Sequence, residues 1–387
     1  MLRENEIQFI QENLHRDPVA IALEAAKYPD LDIPLLVGQI KARQKIKDKM
    51  PQWVANEKVF FPPALALEQS SSEETAHFKA YLLHGKVVDL TGGMGLDSFA
   101  FAQAGCEVDY IERQEELAKI TAFNHSVLKA GNIQHHTSDS LKWLSECAEL
   151  FDFLYVDPAR RDGDGNKVVL LQDCEPNAIE LIPYINNKTS LLIKTSPLLD
   201  LDRATKELGG VEKIYIVCLK NEVKELLFLK TSQSLEDPEI EVVELSQTNL
   251  SLFIGKKSAE SASICEFGSV SNYLYEPHAG ILKAGFFKLV GNRLLKIAPN
   301  THLYTSEVLD TNFAGRTFKV LAEGPLEKKW IQAVLPAGKA NISTRNFPIK
   351  ADEIRKKFHL KDGGEFTLFA FRDHTNKNKV ALAKKIS

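Results

Sequence analysis

The sequence predicts an α/β protein with a seven-stranded sheet, preceded by an N-terminal helical region and followed by a small C-terminal α+β region. Three observations carry this. Between Gly85 and Lys230 short β-rich runs alternate with helical stretches. The last two of those runs are separated by six residues, too few for a crossover helix, so they should be antiparallel neighbours. The charge is also divided: from Ile281 onward 20 Lys and Arg face 9 Asp and Glu, a balance of +11, whereas the first 280 residues hold 28 against 43, or −15. The whole-chain net charge of −4 describes neither part.

A chain of 387 residues with 44% hydrophobic and 26% charged residues is one large or two to three ordinary domains, which excludes disordered, collagenous and disulfide-scaffold proteins. No apolar run approaches the roughly 18 residues of a membrane span, and Met1 to Glu6 carries no apolar signal region, so a cytoplasmic protein is expected. The five cysteines form no CxxC pair and read as reduced core thiols.

The first 75 residues read as helical, with apolar positions at three- and four-residue spacing in Ile7, Ile10 and Leu14 and in Val19, Ala22, Leu23 and Ala26. Basic residues follow at Lys41, Arg43, Lys45, Lys47 and Lys49. Phe60, Phe61, Pro62 and Pro63 form an extended connector, because proline disfavours helix in the residue before it. The polar run Gln69 to Glu74 marks a boundary or helix start, with Ser70 to Ser72 as candidate caps.

Seven strands are then expected at 87–90, 108–111, 133–136, 151–156, 191–194, 214–219 and 226–230. Helices at 96–104, 115–130 and 201–208 close at Gly105, Gly131 and Gly209-Gly210. Farther on, strands are expected at 240–245, 251–254, 317–321 and 365–371, and helices at 326–334 and 351–358. A parallel sheet ending in an antiparallel hairpin resembles the Rossmann-like fold of class I S-adenosylmethionine-dependent methyltransferases.

The strongest local signal is Val87 to Gly95, in which a strand runs into the turn Thr91-Gly92-Gly93-Met94-Gly95 and then a helix. Glycines let the backbone approach a ligand, and the helix N-terminus offers free amides. The spacing does not fit GxGxxG, which argues against a dinucleotide cradle. It resembles the first motif of the methyltransferases, with Thr91 in place of the usual first glycine. The resemblance implies S-adenosylmethionine as cofactor, held by Asp89, Thr91, Gly93 and Gly95, with Glu112 on the ribose hydroxyls and Asp139 toward the adenine amino group. Three acids at the carboxyl edges of consecutive strands sit where open α/β sheets bind ligands. The stretch 87–112, with Gly95, Asp97, Gly105-Cys106 and Glu112-Arg113, also resembles the small-subunit ribosomal RNA guanine-N2 methyltransferases.

The fourth strand delivers Asp157-Pro158-Ala159-Arg160 to the same edge. This resembles the Asp/Asn-Pro-Pro-aromatic motif of amino-group methyltransferases, in which the acid and the next carbonyl hold an exocyclic amine; Asp157, Pro158 and Arg160 are the candidate catalytic residues. Ala159 and Arg160 replace the second proline and the stacking aromatic. Arg160 and Arg161 could stack on a base, hold a phosphate or pair with Asp162 or Asp164. Lys194, after the fifth strand, could meet substrate phosphate or snorkel from the sheet end. The loop Asp162 to Asn166 resembles the start of a calcium loop but lacks its later glutamate and reads as a turn; Asn221-Glu222 is a turn or a substrate contact.

The basic C-terminal portion supplies sequence-independent phosphate affinity, or docks on the protein's own acidic body. Tyr275-Glu276-Pro277-His278, Lys339-Ala340-Asn341-Ile342 and Arg372-Asp373-His374 resemble bacterial proteins with a THUMP-like C-terminal domain, and THUMP domains accompany RNA-modifying enzymes. The resulting divisions are 1–75 (helical), 76–232 (methyltransferase), 233–272 (linker with strands), 273–316 (ferredoxin-like) and 317–387 (basic, THUMP-like). The expected activity is methyl transfer to a base of ribosomal or transfer RNA. A protein or small-molecule methyltransferase, and a non-catalytic RNA-binding protein on a relict cofactor fold, remain the alternatives.

Overall fold

The computed structural model describes residues 2–62, 67, 70–160, 171–233, 235–246 and 251–386. The chain divides into two compact units, Met1–Ile214 with Glu225–Glu236, and Tyr215–Lys224 with Asp237–Ser387.

The first unit opens with helices α1 (Glu4–Asn13), α2 (Pro18–Leu23) and α3 (Ile33–Ile46). Asp17 and Asp32 start α2 and α3 by accepting from the amides of Val19 and Leu35, each just ahead of a proline in the first turn. Phe9, Ile10, Ile21, Ile33, Leu36 and Ile40 form their core. The expected stripe on α2 is turned outward: Ile21 is buried while Val19 and Leu23 are exposed.

Arg43, one of the basic residues on α3, is fully buried. It donates to Gln39 Oε1 (3.1 Å) and to the carbonyls of Glu57 (3.0 Å) and Val59 (2.6 Å), and burial lowers its pKa to about 10. After α4 (Pro51–Ala55), the Phe60-Phe61 connector is neither helix nor strand. Its backbone is gripped on both sides by amide side chains, since Asn124 exchanges two hydrogen bonds with Phe60 and Gln39 two with Phe61. Pro63 and Gln69 lie outside the described residues. Helix α5 (Glu73–Leu82) is capped by Ser72, whose hydroxyl accepts from the Thr75 amide.

All seven expected runs are strands. They are β1 (Lys86–Asp89), β2 (Glu107–Glu112), β3 (Ile133–Thr137), β4 (Phe153–Val156), β7 (Ser190–Thr195), β8 (Lys213–Leu219) and β9 (Glu222–Lys230); the short β5 (Ala159–Arg160) and β6 (Cys174–Glu175) pair with each other. Helices α6 (Leu96–Gln103), α7 (Glu115–Val127), α8 (Ser140–Glu146) and α9 (Leu201–Glu207) fill the intervals. Within the first unit the sheet runs β9-β7-β4-β1-β2-β3, parallel throughout except for β9, which is antiparallel to β7. Helix α7 stops short of its expected end at Gly131, because Lys129 takes the left-handed conformation (φ +63°) that ends it.

The second unit begins inside β8. Its turn to β9 is made by Lys220 and Asn221, with φ +55° and +61°, the pair of positive values that a two-residue hairpin of right-handed twist requires. Both turn amides donate to Glu244, on β10 (Glu239–Glu244), and Asn221 Oδ1 accepts from the Ala279 amide. Asn221 therefore serves the fold of its own unit. Strand β10 lies beside β8 and pairs antiparallel with β11 (Ser251–Gly255), followed by α10 (Lys257–Ala262).

A seven-stranded sheet follows, in the order β13-β14-β12-β15-β18-β17-β16. Its strands are β12 (Tyr273–Pro277), β13 (Leu295–Ala298), β14 (Thr301–Ser306), β15 (Gly315–Gly324), β16 (Asn341–Arg345), β17 (Phe366–Arg372) and β18 (Asn378–Lys385), with α11 (Ala279–Ala284), α12 (Lys328–Val334) and α13 (Ala351–Phe358) between them. Ile331 of α12 and Ile354 of α13 pack with Leu368, Ala370, Val380 and Leu382 on one face of the sheet. Leu274, Phe318, Phe369, Phe371, Ala381 and Ala383 form a second cluster, and the alternation of β17 and β18 residues between the two clusters follows the period-two strand pattern. Strands β12, β13, β14, β16 and β18 have no counterpart among the strands the sequence pattern predicts. Among the described residues no helix is long and apolar enough to cross a membrane.

Candidate functional site

The candidate site is built at the carboxyl ends of β1, β2 and β4. Asp89 closes β1 at 1% exposure, with Oδ1 accepting from the Thr91 amide (3.1 Å) and Oδ2 from the Ser98 hydroxyl (2.6 Å). Burial raises its pKa to about 7 although both hydrogen bonds favour the charged form. Asp89 thus ties the strand to the turn and to α6.

In the turn, Gly93 and Gly95 have φ +54° and +75°. A Cβ on Gly95 would lie 2.4 Å from Thr121 Cγ2 and 2.5 Å from the His125 ring, whereas one on Gly93 would meet nothing nearer than the Thr91 carbonyl at 3.7 Å. The two glycines therefore do different things: Gly95 lets α7 pack against the turn, and Gly93 leaves the space before the turn open. Gly95 is also the N-cap of α6 and supplies no side chain to its first amides. An open cradle beside uncapped amides fits a ligand that brings a carboxylate, as S-adenosylmethionine does.

The turn is braced from behind. The Gly93 carbonyl accepts from Tyr110 (2.6 Å) and Thr121 (3.0 Å), and the Gly95 carbonyl from His125 Nε2 (2.9 Å). Since that carbonyl can only accept, Nε2 carries the proton, and His125 Nδ1 accepts in turn from His135 Nε2 at 2.8 Å. Burial lowers the His125 pKa to about 4, with His135 adding to the effect, so this relay is neutral.

Glu112 ends β2 and accepts from the amides of Gly93 (3.0 Å) and Gln114 (2.8 Å). The expected ribose acceptor is thereby fixed to the glycine turn, with lone pairs left on both oxygens. Asp139 stands apart: it is exposed and caps α8 through the Lys142 amide (3.0 Å).

Strand β4 presents Asp157, whose backbone N–H donates to Thr91 Oγ1 at 2.7 Å. Its Oδ2 is held by Lys194 Nζ, a side chain only 12% exposed. Burial opposes a charge on Lys194, yet Asp157, Glu225 and Asp97 outweigh it and push its pKa up. After the half-buried Pro158, the backbone of Ala159 and Arg160 pairs with Glu175 and Cys174. Glu175 in turn carries an ion pair with Arg113, the residue after Glu112. The Arg160 side chain, Arg161 and the loop Asp162 to Asn166 lie outside the described residues.

Beneath Asp157 lies a charge network that the sequence did not reveal. Asp97 accepts from Tyr155 Oη (2.7 Å) and Ser71 Oγ (2.9 Å) and pairs with Lys79 Nζ (3.2 Å). Fully buried Lys79 also donates to both oxygens of Glu225, at 2.9 and 3.0 Å. Burial works against the Asp97 charge, but Lys79 and Lys194 prevail and lower its pKa; for Glu225 burial dominates and raises it. Lys79 shares a face of α5 with Thr75 and Ala76, and a lysine on that inward face was the available signal.

Residues 315–385 match a THUMP domain-like family and residues 273–313 a ferredoxin-like domain family. An uncharacterized RNA methyltransferase of Mycoplasma mobile is 30% identical over 97 residues, which are 25% of this chain and 27% of that protein. Ribosomal RNA small subunit methyltransferase J of Hydrogenovibrio crunogenus is 34% identical over 86 residues, 19% of this chain and 31% of that protein. The chain thus spans under a third of the length of these curated relatives. A crystal structure described as that of a "putative methyltransferase" from Porphyromonas gingivalis W83 matches with a TM-score of 0.87 and 32% identity, covering 100% of both chains. At that identity and coverage the chain belongs to the family of the Porphyromonas protein, and in this chain the methyltransferase-like α/β fold is followed by the ferredoxin-like and THUMP-like regions.

Proposed function

We propose that the protein is an S-adenosylmethionine-dependent methyltransferase that modifies a base of RNA. The observation that carries this is the Thr91–Asp157 hydrogen bond, which joins the glycine turn to the acceptor motif at the ends of adjacent parallel strands β1 and β4. The bound cofactor would supply an electrophilic methyl group. Gly93 would admit it, Gly95 and the first amides of α6 would hold its carboxylate, Glu112 would take its ribose hydroxyls, and Asp139 would serve its adenine amino group. Asp157, with Oδ2 held by Lys194, keeps Oδ1 as the acceptor for an amine N–H of the target, so that its nitrogen lone pair is positioned for in-line attack. Arg160, Arg161 and Lys194 would complete the substrate side, with Lys194 acting through Asp157. This chemistry is positioning more than base catalysis. The RNA part of the reading rests on the names of the two curated relatives, the THUMP-like match and the +11 charge balance beyond residue 280.

Calorimetry with S-adenosylhomocysteine tests the cofactor: the wild type binds and Glu112→Ala weakens binding at least about tenfold, a loss of ~1.4 kcal/mol. A wild type that does not bind refutes the reading. Mass spectrometry of nucleosides from total RNA, with and without the gene, tests the substrate through one missing methylated nucleoside. RNA affinity should fall steeply with added salt.

A further inference from the structure

The second unit carries a cavity of about 690 Å³ lined by β15, β16, β17 and β18. Its cations are Arg316, Arg345 and Lys385, and its lining acid, Glu365, is paired with Lys384 at 2.5 Å. Hydroxyls come from Ser343, Thr344 and Thr367. The Arg316 side chain is 46% exposed and that of Arg345 34%, yet both are held by one acid. Both donate to Glu276, whose side chain is 2% exposed: Arg345 Nη2 reaches Oε1 at 2.5 Å and Arg316 takes Oε2. Ser343 Oγ adds a third donor to Oε1 at 3.1 Å.

One buried carboxylate facing two guanidinium groups leaves a unit of positive charge unbalanced, and Lys385 adds another. Each guanidinium has five N–H donors; Arg345 also gives Nη1 to the Thr344 carbonyl at 3.0 Å, so each keeps only part of its donors for a ligand after these bonds. Planar forks, an ammonium group and hydroxyls together match the oxygens of a phosphate. The volume is in the range of pockets for small organic ligands.

We infer that this cavity binds the phosphate of a nucleotide, with Glu276 organising Arg316 and Arg345 for the contact. The site deepens the RNA reading and rests on it where the nucleotide belongs to a strand; a free nucleotide brings the same chemistry. Glu276 of the Tyr275-Glu276-Pro277-His278 segment thereby acquires a role as a positioning residue.

The test uses the full-length protein. Titration calorimetry follows inorganic phosphate and adenosine 5′-monophosphate, and fluorescence anisotropy follows a 3′-labelled single-stranded RNA with and without a 5′-phosphate. Lys385→Glu, at an exposed position, should weaken binding of the phosphate probes at least about tenfold, the scale of one charge-assisted contact. Glu276→Gln should also weaken it, although that substitution makes the cavity more positive. S-adenosylhomocysteine affinity and the melting curve of each variant report whether the protein is folded. Binding of the free nucleotide, or of RNA dependent on its 5′-phosphate, supports the site and names the source. RNA binding unaffected by both substitutions overturns the cavity while leaving the RNA reading intact. Phosphate binding without RNA binding refutes the RNA reading and keeps the cavity. Tighter binding by Glu276→Gln overturns the organising role.

Discussion

The hydroxyl of Thr91 accepts a hydrogen bond from the backbone N–H of Asp157 at 2.7 Å, so the residue that stands in place of a first glycine in the proposed cofactor turn also fixes the start of the proposed acceptor motif. A glycine there could not make this bond. Thr91→Val keeps the shape and removes the acceptor, leaving a partly buried amide unpaired at a cost of about 1–3 kcal/mol. Cofactor affinity should change little while methyl incorporation into RNA falls, because the bond acts on Asp157. Equal losses in cofactor binding and turnover would assign Thr91 to the cofactor side alone.

Gly93 and Gly95 should respond to alanine in opposite ways. Both have positive φ, which costs about 1 kcal/mol for alanine. Only Gly95 would also drive a methyl group into Thr121 and His125. Gly95→Ala should therefore lower the melting temperature strongly, whereas Gly93→Ala stays folded and loses S-adenosylhomocysteine affinity. Thermal melts and calorimetry on the two proteins decide it; a Gly93→Ala variant with full affinity would exclude close ligand approach at that residue.

The candidate cofactor residues are legible because the strand, turn and helix that present them are contiguous in sequence, and a local pattern of glycines and strand-end acids marks the spot. The seven strands were legible for the same reason: runs of apolar residues separated by helical intervals are local. What escaped was non-local. Lys79 and Glu225 lie 146 residues apart and meet only when β9 joins the sheet. In sequence Lys194 is a strand-end cation that could meet substrate phosphate or snorkel, and its partner Asp157 is 37 residues away. The segment Tyr275-Glu276-Pro277-His278 gave no mechanism in sequence because Glu276 acts on Arg316 and Arg345, while His278 holds Glu244 at 3.0 Å and caps α11. Strands β16 and β18 were missed because Asn341–Arg345 is half-exposed and polar, and Asn378–Lys385 begins and ends in lysines or asparagine, so neither shows a strong apolar run.

Asp89 should make stability depend on pH near neutrality. Its pKa rises from 3.8 to about 7 in the folded protein, chiefly through burial. Between these values the folded state holds a proton that the unfolded chain has released. The contribution is full below the unfolded value and is lost as pH rises through about 7. Asp89→Asn cannot ionise, and its amide can serve both the Thr91 amide and Ser98. Its melting temperature relative to wild type should therefore climb from pH 5 to pH 8. A difference that stays flat across that range would place the titration elsewhere.

The two partners of the buried pair under the acceptor motif should not be equivalent. Lys79 neutralises both Glu225 and Asp97, whereas Glu225 is one of two acids that neutralise Lys79. Lys79→Met leaves two largely buried carboxylates without that cation, and should destabilise by about 3–5 kcal/mol. Glu225→Gln leaves the Lys79–Asp97 pair and a neutral amide that still accepts from Nζ, so its cost should be nearer 1–2 kcal/mol, the scale of a weakened charge-assisted hydrogen bond. Urea unfolding followed by the fluorescence of buried Trp53, in the same unit, separates the two. The reverse ranking would mean that Asp97 holds its charge through Tyr155, Ser71 and Lys194 without help from Lys79.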